Sequence, residues 1–272
     1  MTILQKLFLG LQPLVTTRQV LPTTRLPAAI ESLSILLVSD LHVGGRPHRS
    51  LAALDELAGR ETDLLIAAGD LVENERFISD VGERLARINA RLGAFAVWGN
   101  HDAFGKPQGR APSWLRDETR SLPHMEAALA AHGIQTLTNR SVRLTVDGAP
   151  LQIVGTGDTH LGLCDLDAAF QDVDSTVVTI LAAHNPDTAF QLAERRVDLT
   201  LSGHTHGGQV ALPFVGPLTL RTRHHLPQPS GLMYVQGRPL VVSAGVGTVG
   251  VPLRFNAPGD VVDLRLVRID AV

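Results

Sequence analysis

The clearest indication of the fold is Ile35-Leu36-Leu37-Val38, which Ser39-Asp40-Leu41-His42 follows directly. Its four apolar residues show no polar alternation, which is typical of a strand buried on both faces of a parallel sheet. The polar residues that follow then lie at the carboxyl end of the strand, where open α/β sheets gather their ligand sites. Alternate residues of an extended segment point the same way, so we expect Asp40 and His42 to reach one centre.

The same pattern returns along the chain. Residues 64–68 and 94–98 predict two more buried strands, and amphipathic helices are predicted after Pro47 and over residues 77–92. This βαβαβ order favours a parallel sheet with right-handed crossovers. Further strands are predicted over residues 141–146, 151–154, 177–181, 199–201, 210–212, 232–235, 240–243 and 261–267, and further helices over 123–132 and 188–195. We therefore expect one α/β domain over residues 31–272, built from two packed sheets with helices outside.

Residues 1–30 are predicted to precede this domain as a short helix and an extended lead-in. The apolar residues of 1–15 recur at near-helical spacing, but polar residues and Pro13 interrupt them, so the segment is not a membrane span of about 20 apolar residues. No small-residue cleavage site follows. Two interpretations remain: a helix packed on the domain, or a helix lying weakly on a membrane surface.

Composition excludes several classes of protein. The 272 residues carry 24 Lys and Arg against 27 Asp and Glu, a formal charge of −3, so no basic excess is present to bind polymeric nucleic acid. A single cysteine excludes an internal disulfide and predicts a reducing, cytoplasmic location, peripheral to the inner membrane face if residues 1–15 bind there. Eleven histidines against one tyrosine direct attention to metal ligands and acid–base groups.

Polar motifs follow the predicted strands at five places. They are Asp40-Leu41-His42, Gly69-Asp70, Gly99-Asn100-His101-Asp102, His184-Asn185-Pro186 and Gly203-His204-Thr205-His206-Gly207-Gly208. Two Asp, one Asn and four His suit divalent ions that take nitrogen and oxygen ligands. The set is too large for one tetrahedral zinc ion, whereas two metal ions sharing a bridging carboxylate would use it fully.

These motifs, in this order, resemble those of the calcineurin-like metallophosphoesterases. The match is closest to a bacterial subgroup of phosphodiesterases and UDP-2,3-diacylglucosamine pyrophosphatase-like enzymes, through residues 39–42, 201–209 and 245–255. The resemblance implies a four-layer α-β-β-α sandwich of two mixed sheets flanked by helices, with the metal site at the carboxyl ends of strands.

The resemblance also implies a role for each motif residue. The residues implied for one metal ion are Asp40, His42, Asp70 and His206, and those for the second are Asp70, Asn100, His184 and His204. His101 is implied as the group that assists the leaving group. Asp102 would then hold the His101 ring in one tautomer; the alternative is an Asp that only forms a turn.

The reaction implied is hydrolysis of a phosphodiester or pyrophosphate bond. Two cations about 3.5–4 Å apart would activate a bridging hydroxide for in-line attack and neutralise the phosphoryl oxygens. Mn, Fe, Zn, Ni and Mg can all use such ligands. The substrate is open and includes a lipid-linked one. The alternatives are a nucleotide phosphodiesterase or a phosphomonoesterase of the same superfamily, and a metal-binding scaffold without activity.

Three further residues are candidates for substrate contacts. Arg46 follows the first metal motif and would reach a substrate phosphate, or else lie in a solvated loop. His224 and His225 follow the last metal motif and would line the substrate pocket, or else lie on the surface. The polar insertion 106–123 would shape the site or form an ordinary surface loop.

Overall fold

The computed structural model of the protein describes residues 14–44, 49–103 and 121–270. The predicted N-terminal helix, Arg46 and nearly all of the insertion 106–123 lie outside the described residues. Within the described ranges, every helix is too short or too polar to span a bilayer.

The first sheet has six strands in the order β1-β16-β2-β4-β6-β7. Their bounds are Val15–Thr23 (β1), Asp260–Arg268 (β16), Ser32–Val38 (β2), Leu64–Ala68 (β4), Ala94–Val97 (β6) and Ile134–Thr136 (β7). β2, β4 and β6 are parallel, as the sequence predicts, and β7, a strand that the sequence analysis did not predict, pairs in parallel with β6. β16 runs antiparallel to β2 and parallel to β1. Thus residues 15–23 of the predicted N-terminal segment pair with the domain, and the division at residue 30 stays a prediction.

The second sheet has six strands in the order β14-β15-β11-β10-β9-β8. Their bounds are Gly231–Val235 (β14), Arg238–Val242 (β15), Leu199–Ser202 (β11), Val178–Ala182 (β10), Ala149–Gly155 (β9) and Arg140–Val146 (β8). β8 and β9 form the predicted hairpin. Asp147 and Gly148 have φ of 49° and 82°, which suits a type I′ turn.

Short elements complete the fold. Two-stranded ribbons pair β3 (Glu61–Thr62) with β5 (Asn89–Ala90) and β12 (Ala211–Leu212) with β13 (Gly216–Pro217). The α-helices are Arg49–Asp55, Ile78–Leu85, Asn100–Ala103, Leu122–Ala130 and Leu166–Ala169. The 3₁₀ turns are Glu75–Phe77, Pro186–Phe190 and His206–Gly208.

The helix predicted over residues 188–195 is wrong. The chain there forms only the 3₁₀ turn Pro186–Phe190. Ala193 then has φ of 50°, a left-handed conformation that a right-handed helix cannot contain.

The core confirms the predicted layers. Along β2, Ile35 and Leu37 lie in the cluster between the two sheets, whereas Leu36 and Val38 lie in the cluster beneath helices Arg49–Asp55, Ile78–Leu85 and Leu122–Ala130. Another apolar cluster covers the outer face of the second sheet. The run of apolar residues without polar alternation is therefore a strand buried on both faces.

Candidate metal centre

The seven predicted ligands converge at the carboxyl ends of five parallel strands, and each is at most 5% exposed. They are Asp40 and His42 after β2, Asp70 after β4, Asn100 after β6, His184 after β10, and His204 and His206 after β11. Candidate ligand atoms lie within 4.8 Å of one another in three groups. The groups are Asp40-His42-His206, His42-Asp70-His101 and Asp70-His184-His204. The structure therefore brings the predicted residues together, and their role as ligands stays a prediction.

The backbone of this cluster is held in an unusual conformation. Five of the seven predicted ligands have φ between 47° and 72°, a region that L-residues avoid. Backbone hydrogen bonds hold the turn after β2, because Asp40 N–H donates to Gly69 O and His42 N–H donates to Asp70 O, both at 2.9 Å. Strain of this kind persists only where the surrounding structure fixes it, and it concentrates at functional sites.

Two glycines let the strand ends approach closely. A Cβ atom at Gly99 would overlap the carboxylate of Asp70, and one at Gly203 would overlap the side chains of Ser39 and Asp40. Glycine at these positions is therefore a packing requirement of the cluster.

His184 and His204 face each other through unprotonated nitrogens when both rings are neutral. Nδ1–H of His184 donates to the carbonyl of Ala68 at 2.7 Å, and Nε2–H of His204 donates to that of Arg221 at 3.2 Å. Carbonyl oxygens only accept, so these bonds fix both tautomers. The remaining atoms, Nε2 of His184 and Nδ1 of His204, lie 3.2 Å apart. Two lone pairs at this distance require a proton or a metal ion between them.

A second pair of imidazoles converges on Asp40. Nε2 of His42 lies 3.1 Å from Nε2 of His206, which lies 3.3 Å from Oδ1 of Asp40. The other ring nitrogen of His42 contacts a carboxylate of Glu73 at 2.6 Å. This arrangement, with one nitrogen held by an acceptor and the other turned into the site, is typical of metal-ligating histidine.

Asp70 lies between the two imidazole pairs. Its Oδ2 is 3.6 Å from Nε2 of His42 and 3.3 Å from Nε2 of His184. Its Oδ1 accepts a hydrogen bond from the backbone N–H of His101 at 2.8 Å. Asp70 is thus the one predicted ligand whose carboxylate reaches both pairs, which is the position that a bridging ligand occupies.

The two aspartates respond differently to burial. Burial raises the pKa of Asp70, but the electrostatic attraction of His184 and His101 outweighs burial and holds the pKa well below 3.8. Burial dominates at Asp40 and, together with the neighbouring Asp70, keeps its pKa above 3.8 although His184 lowers it. A cation beside Asp40 would compensate for the lost solvation of its carboxylate.

The pKa values of the buried histidines also shift in opposite directions. Burial and the neighbouring His184 lower the pKa of His204 to about 3. Burial and the neighbouring His42 hold the pKa of His206 well below 6.5. Burial also lowers the pKa of His184, but Asp70 outweighs it and raises the pKa well above 6.5. Neutral His204 and His206 are in the form that binds a metal ion.

The donor set fits divalent cations. Among the described residues, Oδ1 of Asn100 is buried without a hydrogen-bond partner. An unpaired buried acceptor is costly unless a cation or a donor satisfies it. Together with the facing nitrogens of His184 and His204, it forms an acceptor-rich cluster of oxygen and imidazole ligands. This chemistry suits Mn, Fe, Zn, Ni or Mg.

Glu73 is a site residue that the sequence analysis missed. Its Oε1 contacts Nδ1 of His42 at 2.6 Å and Nδ1 of His101 at 2.8 Å. Burial raises the pKa of Glu73, but its contacts with His101 and His42 outweigh burial and hold the pKa far below 4.5. Burial lowers the pKa of His101, whereas Asp70 and Glu73 raise it above 6.5. The only signal in the sequence is that Glu73 follows Asp70 by three residues.

The carboxylate of Asp102 holds backbone groups, and its expected role at the His101 ring stays a prediction. Its carboxylate accepts backbone N–H groups of Leu71 at 2.9 Å, Val72 at 3.0 Å and Gly99 at 2.9 Å. Burial and the nearby Asp70 raise the pKa of Asp102 to about 6. Asp102 therefore ties the loop after β4 to the turn after β6, and the carboxylate that contacts Nδ1 of His101 belongs to Glu73.

Arg254 is a second residue whose role the sequence did not reveal. Its side chain is 3% exposed, and its guanidinium donates to the carbonyls of His206 at 2.9 Å and Gly245 at 3.0 Å, among others. The segment it holds braces the first metal motif, because Val246 N–H donates to Ser39 O at 3.1 Å. Burial lowers the pKa of Arg254 to about 10, which still leaves it charged at neutral pH.

Two of the predicted substrate contacts, His224 and His225, lie in a loop that contacts this cluster. Nδ1 of His224 is 3.1 Å from Oδ1 of Asp187, and the ring stacks on Phe190 with centroids 4.3 Å apart. His225 is exposed in the same loop. That loop also supplies the Arg221 carbonyl that holds the His204 ring. A substrate role for His224 and His225 stays a prediction.

Comparison with known proteins identifies the class. The family model of the calcineurin-like phosphoesterases matches residues 33–208, and the chain belongs to this family. Members of this family are phosphoric ester hydrolases that use divalent metal ions.

Known proteins are similar in sequence to this chain over most of its length. It is 27% identical over 263 residues to the uncharacterised metallophosphoesterase YkuE of Bacillus subtilis, covering 90% of this chain and 83% of the relative. It is 31% identical over 243 residues to the phosphodiesterase YaeI of Escherichia coli, covering 86% of this chain and 82% of the relative. Two further relatives are longer, and the chain spans 57% and 60% of their lengths.

A solved structure shares the fold. The phosphopantetheinyl hydrolase of Mycobacterium tuberculosis superimposes with a TM-score of 0.51 at 17% identity, covering 82% of this chain and 91% of that one.

Proposed function

We propose that the protein hydrolyses a phosphodiester or pyrophosphate bond at a dinuclear metal centre. The observation that carries this proposal is the pair of facing nitrogens of His184 and His204, 3.2 Å apart, beside the carboxylate of Asp70. Hydrogen bonds to backbone carbonyls fix both rings in this orientation. The two ring nitrogens are therefore preorganised to face one point before a metal ion binds.

The seven residues divide into two ligand sets. We assign Asp40, His42, Asp70 and His206 to one metal ion, and Asp70, Asn100, His184 and His204 to the other. The groups Asp40-His42-His206 and Asp70-His184-His204, whose candidate ligand atoms lie within 4.8 Å of one another, support this division. Asp70 would bridge because its Oδ2 lies near both imidazole pairs.

Two bound divalent ions supply Lewis acidity that activates water and neutralises charge on the phosphoryl group. The chain's own contribution is to hold acid–base groups at fixed positions. Glu73 holds Nδ1 of His101, so we assign proton donation to the leaving-group oxygen to Nε2 of that ring. The pKa of His101 above 6.5 favours the protonated ring that such a donor needs at neutral pH.

The phosphodiesterase activity is proposed from the similarity to YaeI of Escherichia coli. The formal charge of −3 disfavours polymeric nucleic acid as substrate and leaves lipid-linked phosphoesters and small nucleotides open. A phosphomonoesterase of the same superfamily is the second candidate. A scaffold without activity is the third, and the retention of His101 with all seven candidate ligands argues against it.

The test is hydrolysis of bis-p-nitrophenyl phosphate and p-nitrophenyl phosphate. Protein stripped of metal would be reconstituted with Mn, Zn, Ni, Fe(II) or Mg, and Asp70→Asn would be compared with the exposed control Asp172→Asn. We expect diester cleavage that requires a metal ion and Asp70 and is unaffected at Asp172. Preference for the monoester would favour the phosphomonoesterase. Two bound ions per chain without turnover of either ester would favour the scaffold.

A further inference from the structure

An apolar hairpin protrudes beside the metal centre. β12 and β13 pair with Ala211 opposite Pro217 and Leu212 opposite Gly216, and the chain turns between them. We call residues 211–218 the apolar hairpin. Its large apolar side chains face solvent: Phe214 is fully exposed, Val215 is 70% exposed and Leu218 is 59% exposed. Counting Leu212, which is 40% exposed, four large apolar residues of one short hairpin are exposed in the described part of the chain.

The tip of the hairpin is strained as well as exposed. Phe214 has φ of 63°, a left-handed conformation that is a genuine outlier for a bulky residue. Such strain usually accompanies burial of the side chain or a functional contact. Among the residues that the structure describes, the Phe214 ring is not packed against the domain, so packing does not explain an aromatic ring at this position.

The base of the hairpin is anchored. Ala211 N–H donates to Phe255 O at 2.8 Å, and Leu218 N–H donates to Val210 O at 3.1 Å. The side chain of Asn256 donates to Ala211 O at 3.1 Å. The bonds with Phe255 and Asn256 hold the first strand to the body of the domain, and the bond with Val210 ties the end of the hairpin to the base of that strand. The base of the apolar hairpin is therefore fixed.

The charged residues in the sequence around the hairpin are all basic. No Asp or Glu occurs between residues 199 and 259, whereas Arg221 and Arg223 follow the hairpin directly and are exposed. His224 and His225 extend this exposed segment. Asp187 contacts His224 and the backbone of Arg223, and it is the one carboxylate in contact with this segment among the described residues. An apolar tip followed by exposed arginines is complementary to a surface that is apolar inside and negatively charged outside.

We propose that the apolar hairpin docks the protein on an anionic lipid bilayer. Phe214 and Val215 would enter the interface between headgroups and acyl chains, and Arg221 and Arg223 would meet the lipid phosphates. A bilayer fits better than a protein partner, because a convex tip of four side chains is small beside the roughly 800 Å² that each partner buries in a specific protein interface.

The docking would bring the metal centre to the membrane surface. The hairpin begins three residues after Gly208, which ends the turn that carries His206. Beyond it, the Arg221 carbonyl holds the His204 ring. This arrangement suits phosphoester substrates that lie at the membrane surface. The docking itself does not rest on the proposed hydrolysis and can be tested in protein that turns over no substrate.

The experiment is sedimentation of the full chain with sucrose-loaded vesicles of phosphatidylcholine with 30% phosphatidylglycerol. Phe214→Ser/Val215→Ser would be compared with the wild type and with Val20→Ser, which removes a side chain that is 59% exposed on β1. We expect the double variant to lose about tenfold in vesicle partitioning, since two apolar side chains leave the interface. Val20→Ser should bind as the wild type does. Binding should fall with salt and on phosphatidylcholine alone.

A second readout locates the tip directly. Phe214→Trp should gain fluorescence on vesicles and be quenched by lipids brominated near the headgroup, after subtraction of the wild-type signal. Unchanged partitioning of the double variant would overturn the proposal and would move any membrane binding to residues 1–15. A concentration-dependent dimer that the double variant abolishes, without vesicle binding, would equally overturn it in favour of a second copy of the chain.

Discussion

Oε1 of Glu73 lies 2.8 Å from Nδ1 of His101 and 2.6 Å from Nδ1 of His42. One carboxylate therefore orients two rings, one assigned to the leaving group and one to a metal ion. The two rings meet edge to face, with centroids 4.7 Å apart. Because the carboxylate is shared, we expect its loss to affect catalysis and metal binding together.

Glu73→Ala should lower turnover and metal affinity by about 10- to 100-fold, as is usual when the group that orients a metal-bound histidine is removed. Glu73→Gln keeps one acceptor oxygen without the charge and should be intermediate. Turnover and metal titration would be measured beside Glu83→Gln, a control at a carboxylate that is 53% exposed. Wild-type turnover and affinity in Glu73→Ala would contradict the orienting role.

Asp70→Asn should lower the occupancy of both metal ions, because the amide lacks the negative charge and replaces one carboxylate oxygen with an NH2 group that does not bind a metal ion. Turnover of the diester should fall with it, by about a hundredfold or more if electrostatic stabilisation by the ions dominates. Metal content per chain, measured by elemental analysis after gel filtration, tests this directly. A variant that retained two ions would show that Asp70 is not the bridge.

His101→Ala should lower turnover while both metal ions stay bound. Loss of a positioned acid typically costs about 10²- to 10⁴-fold. The loss should be larger for an alkyl ester than for p-nitrophenyl phosphate esters, since p-nitrophenolate leaves without a proton. His184→Ala is the contrasting variant and should lose metal. Finding His101→Ala free of metal beside a loaded wild type would make His101 a ligand instead.

Asp63, which lies outside the candidate metal centre, should make the free energy of unfolding depend on pH. Partial burial raises its pKa, but hydrogen bonds from the backbone and hydroxyl of Ser34 and an ion pair with Arg91 outweigh burial, so the pKa lies below 3.8. A carboxyl with a lowered pKa stabilises the fold above its unfolded pKa and loses this contribution as the pH falls through the folded pKa.

Asp63→Asn should therefore cost about 1 kcal/mol of unfolding free energy at pH 7. The difference from the wild type should shrink as the pH falls from about 4, the unfolded pKa, through the lower folded pKa, because the wild-type carboxyl then loses its charge as well. Urea unfolding at pH 7 and pH 3 measures both values. An equal difference at the two pH values would assign the loss to hydrogen-bond geometry and not to charge.

Much of the fold followed from local pattern. The apolar runs before Asp40 and Asp70 predicted buried parallel strands, and Asp147-Gly148 predicted the β8–β9 hairpin. Periodicity failed over residues 188–195, where the 3₁₀ turn Pro186–Phe190 replaces a helix. The left-handed backbone conformation of Ala193 depends on the path that the chain takes to the next strand. The spacing of hydrophobic residues does not reveal that path.

The order of the motifs along the chain was enough to predict which residues gather at the candidate centre. Parallel strands put their carboxyl ends at one edge, so the order of the five motifs was sufficient to bring seven polar side chains together. The orientations of those side chains depend on contacts between distant parts of the chain, which the sequence pattern does not reveal. Glu73 contacts the His101 ring, and the Ala68 carbonyl directs Nε2 of His184 into the site. These contacts join residues distant in sequence at distances below 3 Å, and only the packing of the folded chain sets distances that precisely.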